Sequence, residues 1–128
     1  MSYEKVYQAR LLEHYNHPRH KGTIEKPDFS SGIHNPSCGD SVLVQGRIQE
    51  EIVQDAVFQA QGCVISCAAA SLLLEKAVGQ PIAVVQAYTA QTMLDLIQIP
   101  LGPTRLRCAL LVLEALQKGI ASYSGAKE

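Results

Sequence analysis

The stretch from residue 64 to residue 78 constrains the fold most, because it leaves a helix almost no polar face. It contains three consecutive alanines and three consecutive leucines, Ala68, Ala69, Ala70, Leu72, Leu73 and Leu74. A helix that is apolar nearly all round must be buried by the rest of the chain. A length of 128 residues with 47% hydrophobic content can supply such a core within one domain. We therefore predict a single domain over residues 1–128, with a frayed tail at 124–128.

The residues before this buried helix predict one helix followed by strands. Apolar or aromatic residues recur every four positions at Tyr3, Tyr7, Leu11 and Tyr15, which is typical of an amphipathic helix that Pro18 must end. From position 42 the period becomes two, in runs over 42–48 and 52–61 that are separated by a polar turn. This pattern predicts an antiparallel pair, and we expect a third, short strand near residues 31–34.

The chain after the buried helix predicts further helices. Gly79 can stop the buried helix, and Pro81 and Thr89 can each begin a short one. Gly102 and Pro103 precede a long apolar stripe that we expect to end at Gly119. The order predicts an α+β fold in which a small antiparallel three-stranded sheet packs against four to five helices.

Charge and hydropathy exclude several classes of function. The net charge is −1, from 11 basic and 12 acidic side chains, so no positive excess is available for nucleic acid. No apolar run reaches the ~20 residues of a membrane-spanning helix, and the polar N-terminus does not resemble a signal peptide. We therefore expect a cytoplasmic protein with no membrane partner. In that reducing compartment, thiols are a better interpretation of the four cysteines than two disulfides.

Three of the four cysteines lie beside a turn or a helix start. Cys38 and Asp40 belong to the motif Asn-Pro-Ser-Cys-Gly-Asp, in which a flexible glycine lets a turn aim both side chains at one centre. Cys63 lies at the expected start of the buried helix, where unpaired N–H groups favour a thiolate. Cys108 lies near the start of the last helix. Together they predict one thiolate site for a soft metal, an iron–sulfur unit or sulfur chemistry.

Packing is the alternative interpretation for each of these cysteines, since free cysteine behaves as a small hydrophobe. We favour packing for Cys67, which lies one turn after Cys63 among alanines. Arg107 precedes Cys108 directly, and its guanidinium can neutralise an anionic cluster or persulfide. His34 is the one histidine close enough in sequence to Cys38 to be a ligand, but we favour a surface imidazole as its interpretation.

Together these residues resemble the U-type iron–sulfur scaffold family, which includes the NifU N-terminal domain and the IscU-like and SufU-like proteins. The matching pieces occur in order: Leu-Leu-Glu-His-Tyr at 11–15, Pro-Arg at 18–19, Asn-Pro-Ser-Cys-Gly-Asp at 35–40, Gly-Cys at 62–63 and Arg-Leu-Arg-Cys-Ala at 105–109. The resemblance covers nearly the whole chain. It implies the fold of the SufE/NifU-like proteins.

The resemblance also implies a function and a set of site residues. It makes Cys38, Cys63 and Cys108 the ligands of the cluster or acceptors of sulfur, with Cys108 accepting the persulfide and Asp40 as an exchangeable oxygen ligand. It implies a non-enzymatic scaffold that assembles a transient [2Fe–2S] cluster, or that holds Zn²⁺ in the same site. The implied partners are a cysteine desulfurase and apo iron–sulfur proteins.

Two departures from the family pattern leave the branch open. IscU-like proteins have a histidine where this chain has Arg107, and their chaperone-recognition stretch is degraded here at positions 101–105. This degradation argues against dependence on a dedicated Hsp70-type chaperone. SufU-like proteins have an insertion that the 45 positions from Cys63 to Cys108 do not accommodate. The alternatives to a scaffold are therefore a zinc-bound SufU-like sulfur relay and a structural zinc domain.

Overall fold

The computed structural model describes residues 3–36 and 39–127, and within them it contains five helices and three strands. In chain order these are α1 (Tyr3–Asn16), β1 (Phe29–His34), β2 (Ser41–Gln49), β3 (Ile52–Gln61), α2 (Val64–Ala77), α3 (Ile82–Gln86), α4 (Ala90–Ile97) and α5 (Pro103–Lys127). The α+β class, the three strands and the number of helices are therefore confirmed. Serine is a favoured helix-capping residue, so the sequence also predicts a cap for α1 at Ser2, which lies outside the described residues.

The sheet is antiparallel with the order β1-β2-β3. Strand β1 pairs with β2 from Phe29 opposite Gly46 to His34 opposite Ser41. The β2–β3 hairpin turns at Glu50 and Glu51, whose φ angles of 55° and 64° fit the left-handed conformation that a two-residue hairpin turn requires. The turn predicted from the polar stretch is therefore confirmed.

One face of the sheet packs against helices α2 and α5, and the hydrophobic core lies between them. The strand residues that the sheet contributes to this core are Phe29, Val42, Val44, Ile48, Val53, Ala56 and Phe58. Helix α2 also packs against α1. Its residues Ala68, Ala69 and Ala70 are fully buried, because small side chains let neighbouring elements approach closely on every side. The burial predicted from the apolar stretch is confirmed.

The last helix is longer than the sequence predicts. Helix α5 continues through Gly119 to Lys127. A Cβ at position 119 would overlap the ring of Phe29, so this glycine serves the contact between α5 and β1 rather than ending the helix. The expected end at Gly119 is therefore wrong, whereas fraying of the tail stays a prediction.

The two short helices begin where proline and threonine predict. Pro81 is the residue before α3, and Thr89 precedes α4 with its backbone N–H donating to the Thr92 hydroxyl at 3.0 Å. Helix α4 ends with Gln98 in a left-handed conformation at φ 59°, two residues before Pro100. None of the described helices combines the length and the hydropathy needed to cross a membrane.

Candidate metal centre

Three of the four predicted ligands meet at one end of the molecule. Asp40 lies just before β2, Cys63 lies just before α2, and Cys108 lies in the second turn of α5. The two sulfurs and a carboxylate oxygen all lie within 4.8 Å of one another. The fourth predicted ligand, Cys38, lies outside the described residues, so its part in the site stays a prediction.

The hairpin register brings Asp40 to Cys63. Ser41 pairs with Gln61 at the open end of the β2–β3 hairpin, so the residues just beyond that pair, Asp40 and Gly62, must lie side by side. Cys63 follows immediately as the residue that begins α2, and no hydrogen bond from its side chain caps that helix. The packing of α5 against α2 then brings Cys108 to the same point.

Gly62 is required for this close approach. A Cβ at position 62 would overlap the carboxylate of Asp40, and the φ angle of +144° is one that only glycine adopts without strain. Glycine at this position therefore permits the turn from β3 into α2, and it leaves room for the Asp40 side chain to pack against that turn.

Asp40 is only 4% exposed, and its carboxylate is held by hydrogen bonds. The Ser66 hydroxyl donates to Oδ2 at 2.6 Å, and the Cys63 backbone N–H lies 3.5 Å from the same oxygen. Burial by itself would raise the pKa of Asp40. Hydrogen bonds from Ser66, from the thiols of Cys108 and Cys63 and from the Cys63 N–H outweigh burial and lower the pKa below its ordinary value. The site therefore holds a carboxylate anion beside two thiols.

The loop that carries Cys38 is closed at its base by backbone hydrogen bonds. The Asn35 N–H donates to the Asp40 carbonyl at 2.8 Å, and the Gly39 N–H donates to the Asn35 carbonyl at 2.9 Å. Gly39 has a φ of +76°, which glycine adopts without strain. Both ends of the Asn-Pro-Ser-Cys-Gly-Asp motif are thus fixed beside the other ligands.

A cavity of about 610 Å³ opens at the three ligands. Arg105 and Thr104 also line it, and the remaining wall is largely apolar, with Leu11, Leu12, Val64, Ile65 and Ile99. Arg105 and Cys108 are three positions apart on α5, which places them on one side of that helix. The cavity therefore combines two thiols, one carboxylate and one guanidinium within an apolar rim.

Other residues considered from the sequence lie elsewhere. Arg107 is exposed and is not among the residues that line this cavity, so its auxiliary role stays a prediction. Cys67 is half-buried and lines a separate cavity with Lys21, and burial raises the pKa of its thiol. His34 is exposed at the end of β1 and lines a third cavity. Among Cys63, Cys67 and Cys108 no disulfide forms.

The sequence does not single out Ser66 as a site residue, and for Arg105 it favours a solvated helix face over a role in the site. Ser66 lies in the apolar stretch of α2, and a buried hydroxyl requires a hydrogen-bond partner, which could have marked it for attention. Arg105 could have been distinguished from Arg107 by helical spacing, since positions three apart share a face and adjacent positions do not.

The donor set fits a thiophilic metal. Zinc binds sulfur at about 2.3 Å and carboxylate oxygen at about 2.0–2.2 Å, so two sulfurs on one tetrahedral zinc lie roughly 3.8 Å apart. Ligand atoms within 4.8 Å of one another need to close by at most about 1 Å to reach that geometry. An iron bound by thiolates requires similar distances between its ligand atoms. Because one ligand atom is a hard oxygen, this site exchanges its metal more readily than a site made of thiolates alone.

Comparisons with known proteins found a family, relatives and solved structures that are similar to this chain. The family described as NifU-like N terminal domain matches residues 6–128. A Bacillus subtilis protein named zinc-dependent sulfurtransferase SufU is 30% identical, with 95% of this chain and 94% of the relative covered. An Escherichia coli K12 protein named iron-sulfur cluster assembly scaffold protein IscU is 29% identical, with 96% and 98% covered. The crystal structure of the N-terminal part of a nitrogen-fixing NifU-like protein from Brucella abortus has the same fold, with a TM-score of 0.78 over 95% of this chain and 96% of that one at 17% identity.

The two alignments differ in length. The alignment with the Bacillus protein spans 140 positions against the 128 residues of this chain, whereas the alignment with the Escherichia protein spans 127. The Bacillus protein therefore has inserted residues that this chain lacks.

Proposed function

Because this chain belongs to the NifU-like N-terminal domain family, we propose that it is a scaffold for iron–sulfur cluster assembly. It accepts iron and sulfur at Cys38, Cys63 and Cys108, and it passes the cluster to apo-proteins. The cluster, most simply a [2Fe–2S] unit, is the cargo of the scaffold. The observation that carries the proposal is the approach of Asp40, Cys63 and Cys108 to within 4.8 Å of one another at a cavity.

Cys38 completes the proposed site as its third thiolate. It precedes Asp40 by two positions, and consecutive Cα atoms are about 3.8 Å apart, so its Cα lies within about 7.6 Å of the Cα of Asp40. The hydrogen bonds of Asn35 and Gly39 tie this loop to Asp40. Three thiolates and one carboxylate give four protein ligands, the number that a tetrahedral centre takes.

The remaining residues of the cavity support binding and release of an anionic cargo. Arg105 offers positive charge to a cluster that carries several thiolate and sulfide charges. The apolar rim, which includes Leu12 and Ile99, limits the access of water to the cluster. Asp40 is the exchangeable ligand, because a hard oxygen binds iron less tightly than a thiolate in a sulfur-rich site. A cluster held in this way can leave for an acceptor with four thiolates.

A zinc-bound sulfur relay is the second candidate, and the 30% identity to the Bacillus zinc-dependent sulfurtransferase favours it. In this version Zn²⁺ organises the four ligands and Cys108 relays sulfur. Its thiolate attacks the outer sulfur of a desulfurase persulfide, a new S–S bond forms on Cys108, and the desulfurase cysteine leaves as a thiolate. The protein would then act as a sulfur-transfer partner rather than as a scaffold. The missing insertion favours the scaffold over the relay.

A structural zinc domain is the third candidate, and the extent of the hydrophobic core argues against it. Fully buried residues of the sheet and of α2 and α5, such as Val44, Leu73 and Leu116, form a continuous core. A fold with this core does not depend on a metal for its hydrophobic free energy, whereas domains that need structural zinc have little core of their own.

Anaerobic reconstitution separates the three candidates. The protein is incubated with a cysteine desulfurase, cysteine and Fe²⁺, and the visible spectrum, iron, zinc and acid-labile sulfide are measured, followed by transfer to an apo-ferredoxin. A cluster that transfers supports the scaffold. Persulfide on Cys108 with retained zinc and no cluster supports the relay. Zinc whose removal unfolds the chain supports the structural domain.

A further inference from the structure

The hydroxyl of Ser66 lies near all three of the residues that form the candidate metal centre. It is the third residue of α2 and is fully buried in a stretch that otherwise provides mostly apolar side chains to the core. Its hydroxyl oxygen lies 2.6 Å from Oδ2 of Asp40, 3.7 Å from the sulfur of Cys63 and 3.4 Å from the carbonyl oxygen of Cys108.

The single hydroxyl hydrogen of Ser66 can serve only one of these acceptors well. The 2.6 Å contact is the length of a charge-assisted O–H···O⁻ hydrogen bond, whereas the contact to the Cys108 carbonyl is long for a hydroxyl donor. The hydrogen therefore points to Asp40. The Ser66 oxygen still has lone pairs, so the Cys63 thiol can donate to it while that thiol is protonated.

The bond from Ser66 decides how Asp40 can bind a metal. Both the Ser66 hydroxyl and the Cys63 N–H are directed at Oδ2, so this oxygen is engaged by the protein itself. A carboxylate with one oxygen engaged offers a metal one oxygen rather than two. The hydrogen bond also withdraws charge from the carboxylate and weakens its bond to a metal.

We propose that Ser66 is a positioning residue that keeps Asp40 a weak, one-oxygen ligand and thereby sets how fast the site releases its cargo. This inference rests on the proposed function, since it assigns a second residue to the release step. Without the hydroxyl, only the long 3.5 Å contact from the Cys63 N–H remains on Oδ2. The second oxygen of Asp40 can then also bind the metal, which is held more tightly and leaves more slowly.

Cobalt provides the test, because Co²⁺ replaces Zn²⁺ in sulfur-rich sites and its visible bands weaken when a fifth ligand joins a tetrahedral set. The reduced full-length protein is loaded with Co²⁺ alone, the visible spectrum is recorded, and release to excess EDTA is timed. Ser66→Ala should weaken the bands and slow release by about tenfold, the scale of one hydrogen bond to a charged group. In an Asp40→Ala background the same substitution should change neither the bands nor the release rate.

Ser71→Ala is the matched control, since Ser71 is also a fully buried serine of α2, but it bonds His14 and the Arg19 backbone. This variant should lose stability while keeping the wild-type cobalt spectrum and release rate. If Ser66→Ala fails to fold, Ser66→Thr tests the proposal instead. Because threonine retains the hydroxyl, this variant should keep the wild-type cobalt spectrum and rate of Co²⁺ release. A changed rate in Ser66→Thr would then overturn the proposal.

Three other outcomes also overturn it. A Ser66→Ala protein with wild-type release shows that the bond does not control Asp40. An equal effect of Ser66→Ala in the Asp40→Ala background shows that Ser66 acts by another route. Failure of the wild-type protein to bind Co²⁺ at all removes the proposed function together with the inference.

Discussion

The Cα of Gly62 lies against the carboxylate of Asp40, so closely that a Cβ at position 62 would overlap that side chain. Both residues lie close to a second ligand, because Cys63 follows Gly62 directly in the chain. The contact explains why the turn between β3 and α2 uses glycine. It also makes position 62 a place where one methyl group should disrupt the site.

We expect Gly62→Ala to lower the affinity for Co²⁺ or Zn²⁺ by more than about tenfold, because the new Cβ displaces the Asp40 carboxylate. This loss of affinity is comparable to the loss seen when a residue that orients a metal ligand is removed. Competition with a chromophoric chelator measures the affinity. Gly79→Ala is the control, since Gly79 also has a positive φ, +92°, but has no atom within 4 Å of an added Cβ. Both variants should lose about 1–3 kcal/mol of stability from backbone strain. Equal metal affinity in the two variants would contradict the role of Gly62.

The cysteines should divide into two groups. Cys38→Ala, Cys63→Ala and Cys108→Ala should each weaken Co²⁺ binding by more than about 100-fold, because losing a direct ligand costs more than losing an outer partner. Cys67→Ala should bind Co²⁺ normally, since Cys67 lines a different cavity. Sulfur-to-cobalt charge-transfer intensity counts the thiolates and checks both expectations. Retained binding in all three of the first group would remove the site assignment.

Asp40→Ala should retain a reconstituted cluster for longer than the wild-type protein. The reason is that the exchangeable oxygen ligand has been removed, so that an acceptor protein has no weak bond to replace first. The decay of the visible spectrum and the rate of transfer to an apo-ferredoxin measure this, and a slowing of about tenfold corresponds to about 1.4 kcal/mol. Faster loss of the cluster from Asp40→Ala would contradict a role in release.

Arg105 should matter more for sulfur loading than Arg107. Arg105 lines the cavity that holds Cys108, and Arg107 is exposed outside that lining. Arg105→Gln should slow persulfide formation on Cys108 by about tenfold, the scale of one charge-assisted contact, whereas Arg107→Gln should change it by less than about threefold. Mass spectrometry of the alkylated persulfide follows the reaction. A larger effect of Arg107→Gln would favour the auxiliary role that the sequence predicts for Arg107.

Stability should fall as the pH drops below about 6.5, because of His14. This side chain is buried and bonded through Nδ1 to the Ser71 hydroxyl at 2.7 Å, and burial lowers its pKa in the folded state. The unfolded chain therefore binds a proton at a pH where the folded chain does not. The contribution of neutral His14 is complete above the unfolded pKa near 6.5 and is lost as the pH falls toward the folded value, by at most about 1.4 kcal/mol per pH unit.

Urea denaturation of the metal-free protein between pH 5 and pH 8 measures this slope. His14→Asn should flatten it, since asparagine places a polar atom near Nδ1 but does not titrate. His17→Gln, which changes an exposed histidine directly after the same helix, should leave the slope as it is in the wild type. A slope that survives His14→Asn would show that another group titrates.

The period of the apolar residues predicted which segments form helices and strands, but tertiary contacts determined where the last helix ends. The alternation from Val42 onward predicted the β2–β3 hairpin, because one face of an antiparallel sheet is buried and the other is not. Gly119 was expected to end the last helix and instead lies within it, against Phe29. Local preference for a helix end was overridden there by packing between two elements that are far apart in the sequence.

The residues alone were enough to predict the α+β class, the burial of α2 and the candidate ligands, because periodicity and donor chemistry are properties of the residues themselves. The folded structure was needed to show that Asp40, Cys63 and Cys108 meet, that Ser66 bonds the carboxylate and that Arg105 rather than Arg107 lines the cavity. Those facts depend on hairpin register and on the packing of α5 against α2, which bring together residues 23 to 68 positions apart. A hydroxyl in an apolar stretch can be recognised in a sequence, but the acceptor that it bonds is chosen by the fold.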